Sequence, residues 1–107
     1  MVEYNDQDII SYLLLNGYEK VPFALFDEVK EKIHEKYDGL FKYKSVPFMN
    51  GFSKIVVKKD GFYRLNDGYT LDTNIIKLKD KLFKVKDYLD IEISSGFKFV
   101  INELNNA

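Results

Sequence analysis

Residues 54–71 read KIVVKKDGFYRLNDGYTL, and this stretch decides the class of fold. Its β-branched run predicts a strand over 54–59, and the Asp-Gly pair at 60–61 is a typical hairpin turn. Residues 62–65 then predict the return strand. The Asn-Asp-Gly motif at 66–68 marks another turn, followed by a further strand-like stretch. The sequence therefore predicts a β-meander near the centre of the chain.

The spacing of apolar residues predicts two helices before this meander, over 6–16 and 22–37. Acidic and amide side chains at the start of the first helix suit an N-terminus, and an Asn-Gly pair supplies its left-handed stop. Residues 41–44 alternate aromatic with basic side chains, which is typical of a half-exposed strand. Residues 45–51 contain a proline and a glycine, and their apolar residues recur at no regular spacing. They therefore form either a loop or a short helix.

The C-terminal third is predicted to add a helix and a second hairpin. Apolar residues at 75, 78, 82, 85 and 89 recur at steps of three and four, which favours a helix. A hairpin around 79–81 is the alternative for the same residues. Apolar residues alternate over 91–101, which predicts a hairpin there. The resulting expectation is one α+β domain that spans residues 1–107.

Composition narrows the class of protein. The 107 residues include no cysteine, which excludes disulfides, cysteine-based zinc sites and thiol nucleophiles. The chain has no apolar run of the length that a membrane span needs, and its opening is acidic and polar, unlike a signal peptide. We therefore expect a cytoplasmic protein without a membrane partner. Frequent Lys, Ile, Asn, Tyr and Phe suggest AT-rich coding, as in a low-GC bacterium, its phage or an archaeal virus.

The formal net charge of −1 conceals a strong asymmetry along the chain. Residues 1–40 carry −5, residues 41–86 carry +7 and residues 87–107 carry −3. A basic segment of this kind suits a polyanionic partner. The charge distribution thus points to the middle of the chain as the candidate binding region.

Residues that could perform catalysis are sparse. The only histidine, His34, lies in the predicted second helix, and the acids Asp27, Glu31 and Glu35 share that helix with interleaved lysines. Metal sites and catalytic histidines need several partners, so an ordinary solvated helix surface explains these residues better. A glycine-rich phosphate loop and a nucleophile elbow are both absent from the sequence. We expect no enzymatic activity, no cofactor and no metal.

Basic and aromatic residues on the predicted strands are the remaining candidates for a binding site. Lysine supplies phosphate contacts, and neighbouring aromatic rings could stack on bases. The alternative is that the lysines protect strand edges from aggregation and the aromatic rings belong to the core. Because almost all the cations are lysine, contact with the nucleic-acid backbone is favoured over base-specific recognition. The candidate nucleic-acid-binding residues are Lys42, Lys44, Lys54, Lys58, Lys59, Phe62, Tyr63 and Arg64.

Two stretches resemble a known family. Residues 17–29, GYEKVPFALFDEV, and residues 59–71, KDGFYRLNDGYTL, are similar to the second helix and the wing of HARE-type winged-helix domains, the family of the delta subunit of Gram-positive RNA polymerase. The resemblance covers about residues 8–72. It implies a transcription-linked binding module without enzymatic activity. The sequence departs from the family at 40–53, where Pro47 and a glycine leave a short recognition helix or none.

Three hypotheses follow. The first is an α+β fold, winged-helix-like up to residue 72 and completed by a C-terminal helix and hairpin, that regulates transcription by binding the DNA or RNA backbone. The second is a phage or viral protein–protein interaction factor that inhibits a host polymerase or nuclease. The third is a self-assembling structural protein that pairs through an edge strand or through the apolar stripe of 75–89, so that the chain is either a monomer or a homodimer.

Overall fold

The computed structural model describes residues 2–37, 39 and 41–89, and this part of the chain is a mixture of helices and small sheets, as an α+β fold requires. None of the helices there combines the length and apolar character that crossing a bilayer requires. The helices are α1 (Asp6–Leu15), α2 (Phe23–Tyr37) and the single turn α3 (Phe52–Ile55), with a 3-10 helix at Val85–Tyr88. The strands are β1 (Val2–Tyr4), β2 (Lys20–Pro22), β3 (Phe41–Tyr43), β4 (Val56–Lys59), β5 (Phe62–Leu65), β6 (Tyr69–Asp72), β7 (Ile75–Leu78) and β8 (Lys81–Lys84).

Helix α1 confirms the first predicted helix and lies at the centre of the core. The side chain of Asn5 accepts a hydrogen bond from the backbone N–H of Asp8, and the Asp8 carboxylate accepts one from the N–H of Asn5. This reciprocal capping box satisfies two of the donors that a helix start leaves free. Every residue from 7 to 14 is buried, so α1 is covered on all sides. Burial on all sides explains why the helix carries no polar face.

Helix α2 confirms the second predicted helix and has one solvent-exposed face and one buried face. Phe26, Val29 and Ile33 are buried at helical spacing, whereas Asp27, Glu28 and their neighbours are exposed. The buried stripe packs toward α1. The amphipathic pattern thus places α2 on the outside of the core.

The predicted hairpin at 54–65 is confirmed, but its first strand starts later than predicted. Asn50 and Gly51 both have positive φ, 57° and 74°, and turn the chain directly into α3, which occupies 52–55. Phe52 and Ile55 bury their side chains from that helical turn. Strand β4 therefore begins at Val56, and the β-branched run misled the prediction at its first residues. Residues 44–49 form a loop, which resolves the choice left open for that stretch.

Strands β2, β5 and β4 form an antiparallel sheet in that order, with β5 in the middle. The turn between β4 and β5 has φ of 56° at Asp60 and 82° at Gly61, the pair of positive values that a type I′ hairpin demands. Val21, Val56, Tyr63 and Leu65 are buried on one side of this sheet. That side faces the core, and the opposite side faces solvent.

A parallel two-stranded sheet joins β1 to β3. The predicted strand at 41–44 is confirmed as β3, whereas β1 carries no clear strand pattern in the sequence. Tyr4 is 1% exposed, and its ring meets those of Phe41 and Tyr43 edge-on at centroid distances of 6.3 Å and 5.6 Å. Aromatic packing across the pair thus stabilises two strands of only three residues each.

The helix predicted over 75–89 is wrong, and the alternative hairpin is what forms. Strands β6, β7 and β8 make an antiparallel meander, with Leu78 opposite Lys81 across a turn at Lys79 and Asp80. The apolar spacing was misleading because its members serve three different structures. Leu82 on β8 is 62% exposed. Val85, in the 3-10 helix, and Leu89, directly after it, are both buried. The hairpin predicted over 91–101 lies outside the described residues.

We expect Asn5→Ala to lower the free energy of unfolding by about 1 kcal/mol, because it removes the cap of a helix at the centre of the core. Chemical denaturation of both proteins measures the difference. Asn5→Ser is the matched control, since serine caps equally well and should keep most of the stability. Equal losses in both variants would show that the stability lost with Asn5 does not come from a capping oxygen.

We expect stability to fall above about pH 10, the usual pKa of tyrosine. Burial, with smaller effects of Tyr43 and Asp6, raises the pKa of Tyr4 to about 12. The contribution of the neutral phenol is complete below pH 10 and declines as the pH rises toward 12. The stability advantage over Tyr4→Phe should therefore shrink by about 2 kcal/mol between these pH values. Denaturation curves along this pH range test this, and a constant advantage would contradict it.

Candidate nucleic-acid interface

The register of the β2–β5–β4 sheet gathers basic residues on its solvent side. Arg64 of β5 lies opposite Lys20 of β2 and Val57 of β4, and Phe62 lies opposite Pro22 and Lys59. Residues directly opposite each other in an antiparallel pair share one face, with Cβ atoms about 5 Å apart. We call the set Lys20, Lys59, Phe62 and Arg64 the cationic face. It combines three positive charges with one aromatic ring.

Local contacts position three of these four side chains, those of Lys20, Phe62 and Arg64. The Phe62 ring is half-buried, and the Lys20 ammonium lies 6.0 Å from its centroid, within range of a cation–π contact. The Arg64 side chain is 23% exposed, and one guanidinium nitrogen lies 3.6 Å from the Asp67 carboxylate. Lys59 is exposed at the turn end of β4. The face is therefore accessible, and an exposed carboxylate at one side orients its arginine.

Tyr63 does not belong to this face, which corrects its assignment as a stacking residue. It points to the core side of β5 and is 6% exposed. Its ring packs against those of Phe23 and Phe26, with centroids 5.1 Å and 4.9 Å away. Tyr63 is therefore a core residue, in agreement with the alternative explanation that the aromatic rings belong to the core.

The other predicted lysines are dispersed. Lys58 lies on the same side of the hairpin as Tyr63 but is exposed to solvent. Its ammonium lies 5.2 Å from the centroid of the Tyr63 ring. Lys54 lies on α3. Lys42 and Lys44 are on or directly after β3, in a different sheet, and Lys44 lies 3.6 Å from the Glu3 carboxylate. The structure thus brings together only Lys59, Phe62 and Arg64 of the eight predicted residues.

Lys20 is the residue of the face that sequence analysis missed. It precedes a buried valine and a proline, in a three-residue strand that directly adjoins α2. Alternation of an exposed lysine with Val21 gave a weak strand pattern there. The pairing of β2 with β5 joins residues 44 positions apart, and a single sequence carries no information on that register.

A groove of about 190 Å³ lies beside the cationic face. Its lining includes both Lys20 and Arg64, together with the hydroxyl-bearing Tyr69 and Thr70 of β6. Two cations suit a phosphate group, while Glu19 at the same groove opposes additional negative charge. The groove therefore extends the face beside two of its cations.

The remaining polar candidates stay on the surface. His34, Asp27, Glu31 and Glu35 are exposed on α2, as predicted. Over residues 2–37, 39 and 41–89, the side chains of histidine, aspartate and glutamate form no group of three that could hold a metal ion.

Comparisons with models of known protein families, with curated proteins and with solved structures found no match to this chain. Among the described residues, the cationic face places three cations and an aromatic ring together on one side of a sheet.

Replacing the two neighbouring aromatic residues of β5 tests the assignment of the faces. Tyr63→Ala should lower the free energy of unfolding by about 3–5 kcal/mol, as truncation of a buried aromatic side chain does. Phe62→Ala should cost about 1 kcal/mol, because it loses only cross-strand contacts on the solvent side. Denaturation of both variants gives the comparison. A larger loss for Phe62→Ala would reverse the assignment.

Proposed function

We propose that this protein is a non-enzymatic nucleic-acid-binding module that contacts the phosphate backbone through its cationic face, in association with transcription. The observation that supports this best is the convergence of Lys20, Lys59 and Arg64 on one solvent-facing side of a single sheet. These residues come from three strands and from two separate parts of the sequence. Phosphates spaced along a nucleic-acid strand are the partner that fits such an array.

A winged-helix-like arrangement is part of the proposal. Helices α1 and α2, the helical turn α3 and the β4–β5 hairpin follow one another in the order that a winged helix requires. This order adds to the resemblance of residues 17–29 and 59–71 to HARE-type domains. The hairpin then corresponds to the wing, and the cationic face includes both of its strands.

Helix α3 decides which contacts this module makes. It has four residues, and its buried members Phe52 and Ile55 are occupied by the core. A recognition helix reads the major groove with several side chains along its first turns. A single turn cannot present that many, so binding falls to the sheet. Contacts to phosphate then give affinity without strong sequence preference.

Electrostatics sets the expected salt response. Neutralising three phosphates releases counterions, which gives log K a slope of about −2.7 against log salt on a duplex and about −2.1 on a single strand. Between about 50 mM and 200 mM salt, this predicts a loss of duplex affinity on the order of 40-fold. The response is modest because the array holds only three cations.

Fluorescence anisotropy with a labelled oligonucleotide tests the proposal. Lys59→Gln should weaken binding at low salt and make the slope shallower by about 0.9 on a duplex, since it removes one phosphate contact. Lys42→Gln is the matched control, because Lys42 is also exposed but lies on β3, away from the cationic face. The absence of binding at about 50 mM salt, or equal effects of the two variants, would refute the proposal.

A further inference from the structure

Phe62 occupies an unusual place on the solvent side of the β2–β5–β4 sheet. Its register partners on the two sides are Pro22 and Lys59, and the Lys20 ammonium lies 6.0 Å from its ring. Next along the same strand face is Arg64. An aromatic ring thus stands on the solvent side of the sheet with cations on both sides of it.

We propose that this face takes single-stranded nucleic acid, with one base stacked on Phe62 and the flanking phosphates held by Lys59 on one side and by Lys20 and Arg64 on the other. The inference rests on the proposed function and names the form of nucleic acid that it serves. Aromatic side chains within a positively charged groove are the usual platform for unpaired bases.

A duplex fits the same surface poorly. Its bases are stacked inside the helix, so a half-buried ring on the face of a sheet reaches none of their faces. Groove recognition needs a protruding helix or ribbon. Helix α3 provides a single turn, and the β4–β5 hairpin is part of a three-stranded sheet because β5 also pairs with β2. In contact with a duplex, Phe62 would meet sugar and phosphate and lose hydration without a stacking partner. A single strand can turn one base onto the ring and keep its phosphates over the cations.

The neighbouring groove of about 190 Å³ gives the strand a path. Lys20 and Arg64 belong both to the face and to the groove lining. The nucleic-acid backbone next to the stacked base therefore passes two cations. Glu19 and Asp67 lie near this end and partly offset its positive charge.

The test compares a labelled oligothymidine of about 12 nucleotides with a duplex of the same length, each titrated with the protein in low salt. The wild type should bind the single strand at least about tenfold more tightly. Phe62→Leu should weaken that binding by about tenfold, in line with a stacking contribution of 1–3 kcal/mol per base, and leave duplex binding unchanged. Phe62→Tyr should restore the preference, because it restores an aromatic ring. Circular dichroism confirms that each variant is folded.

Leu82→Ala is the matched control, because it removes an exposed apolar side chain from a different sheet, and it should change neither affinity. Equal affinity for the two forms, or equal loss of both in Phe62→Leu, would overturn the inference and leave backbone binding intact. Absence of binding to both forms would instead refute the proposed function, and this inference with it.

Discussion

The register of β5 with β2 and β4 determines which of its side chains enter the core and which face solvent. Side chains alternate along a strand, so a shift by one residue would turn Phe62 and Arg64 into the core and expose Tyr63 and Leu65. Two sets of interactions prevent the shift. At one end, the Asp60-Gly61 turn fixes the pairing, and the N–H of Phe23 donates a 3.0 Å hydrogen bond to the Gly61 carbonyl. At the other end, the N–H of Asn66 donates to the Ile55 carbonyl at 2.7 Å.

Helix α1 also helps to fix the position of the hairpin, through one buried polar side chain. The Gln7 carboxamide oxygen accepts a 2.7 Å hydrogen bond from the backbone N–H of Met49, and its nitrogen donates to the Tyr88 carbonyl at 3.5 Å. A single residue thereby connects the central helix to the loop before α3 and to the 3-10 helix. Because Gln7 is buried, losing either partner would leave an unsatisfied polar group. The loop that delivers α3 to the hairpin is thus fixed from inside.

Local patterns predicted the elements whose own residues decide them. The capping residues of α1, the apolar stripe of α2 and the Asp-Gly turn act over a few positions, and each appeared at its expected place. The helix prediction for 75–89 was wrong because it followed the spacing of apolar residues. Pairing with β6 and positive φ at Thr73 and Lys79 favour a hairpin instead. Of the four residues in the candidate site, the sequence analysis named Lys59, Phe62 and Arg64. It did not name Lys20, because that residue joins the others only through pairing between strands that are far apart in the sequence.

The charge of +7 over residues 41–86 is a property of the sequence and not of one surface. Part of it is balanced locally, since the Lys77 ammonium lies 2.8 Å from the Asp72 carboxylate and lowers the pKa of that group. Other lysines are carried by β3, by α3 or by the β7–β8 hairpin. A binding surface needs cations that share a face at spacings set by the backbone. Sheet pairing supplies that condition where Lys20, Lys59 and Arg64 surround Phe62, and one of those cations comes from the acidic N-terminal segment. Strand register, more than segment charge, therefore determines where a polyanion could bind this fold.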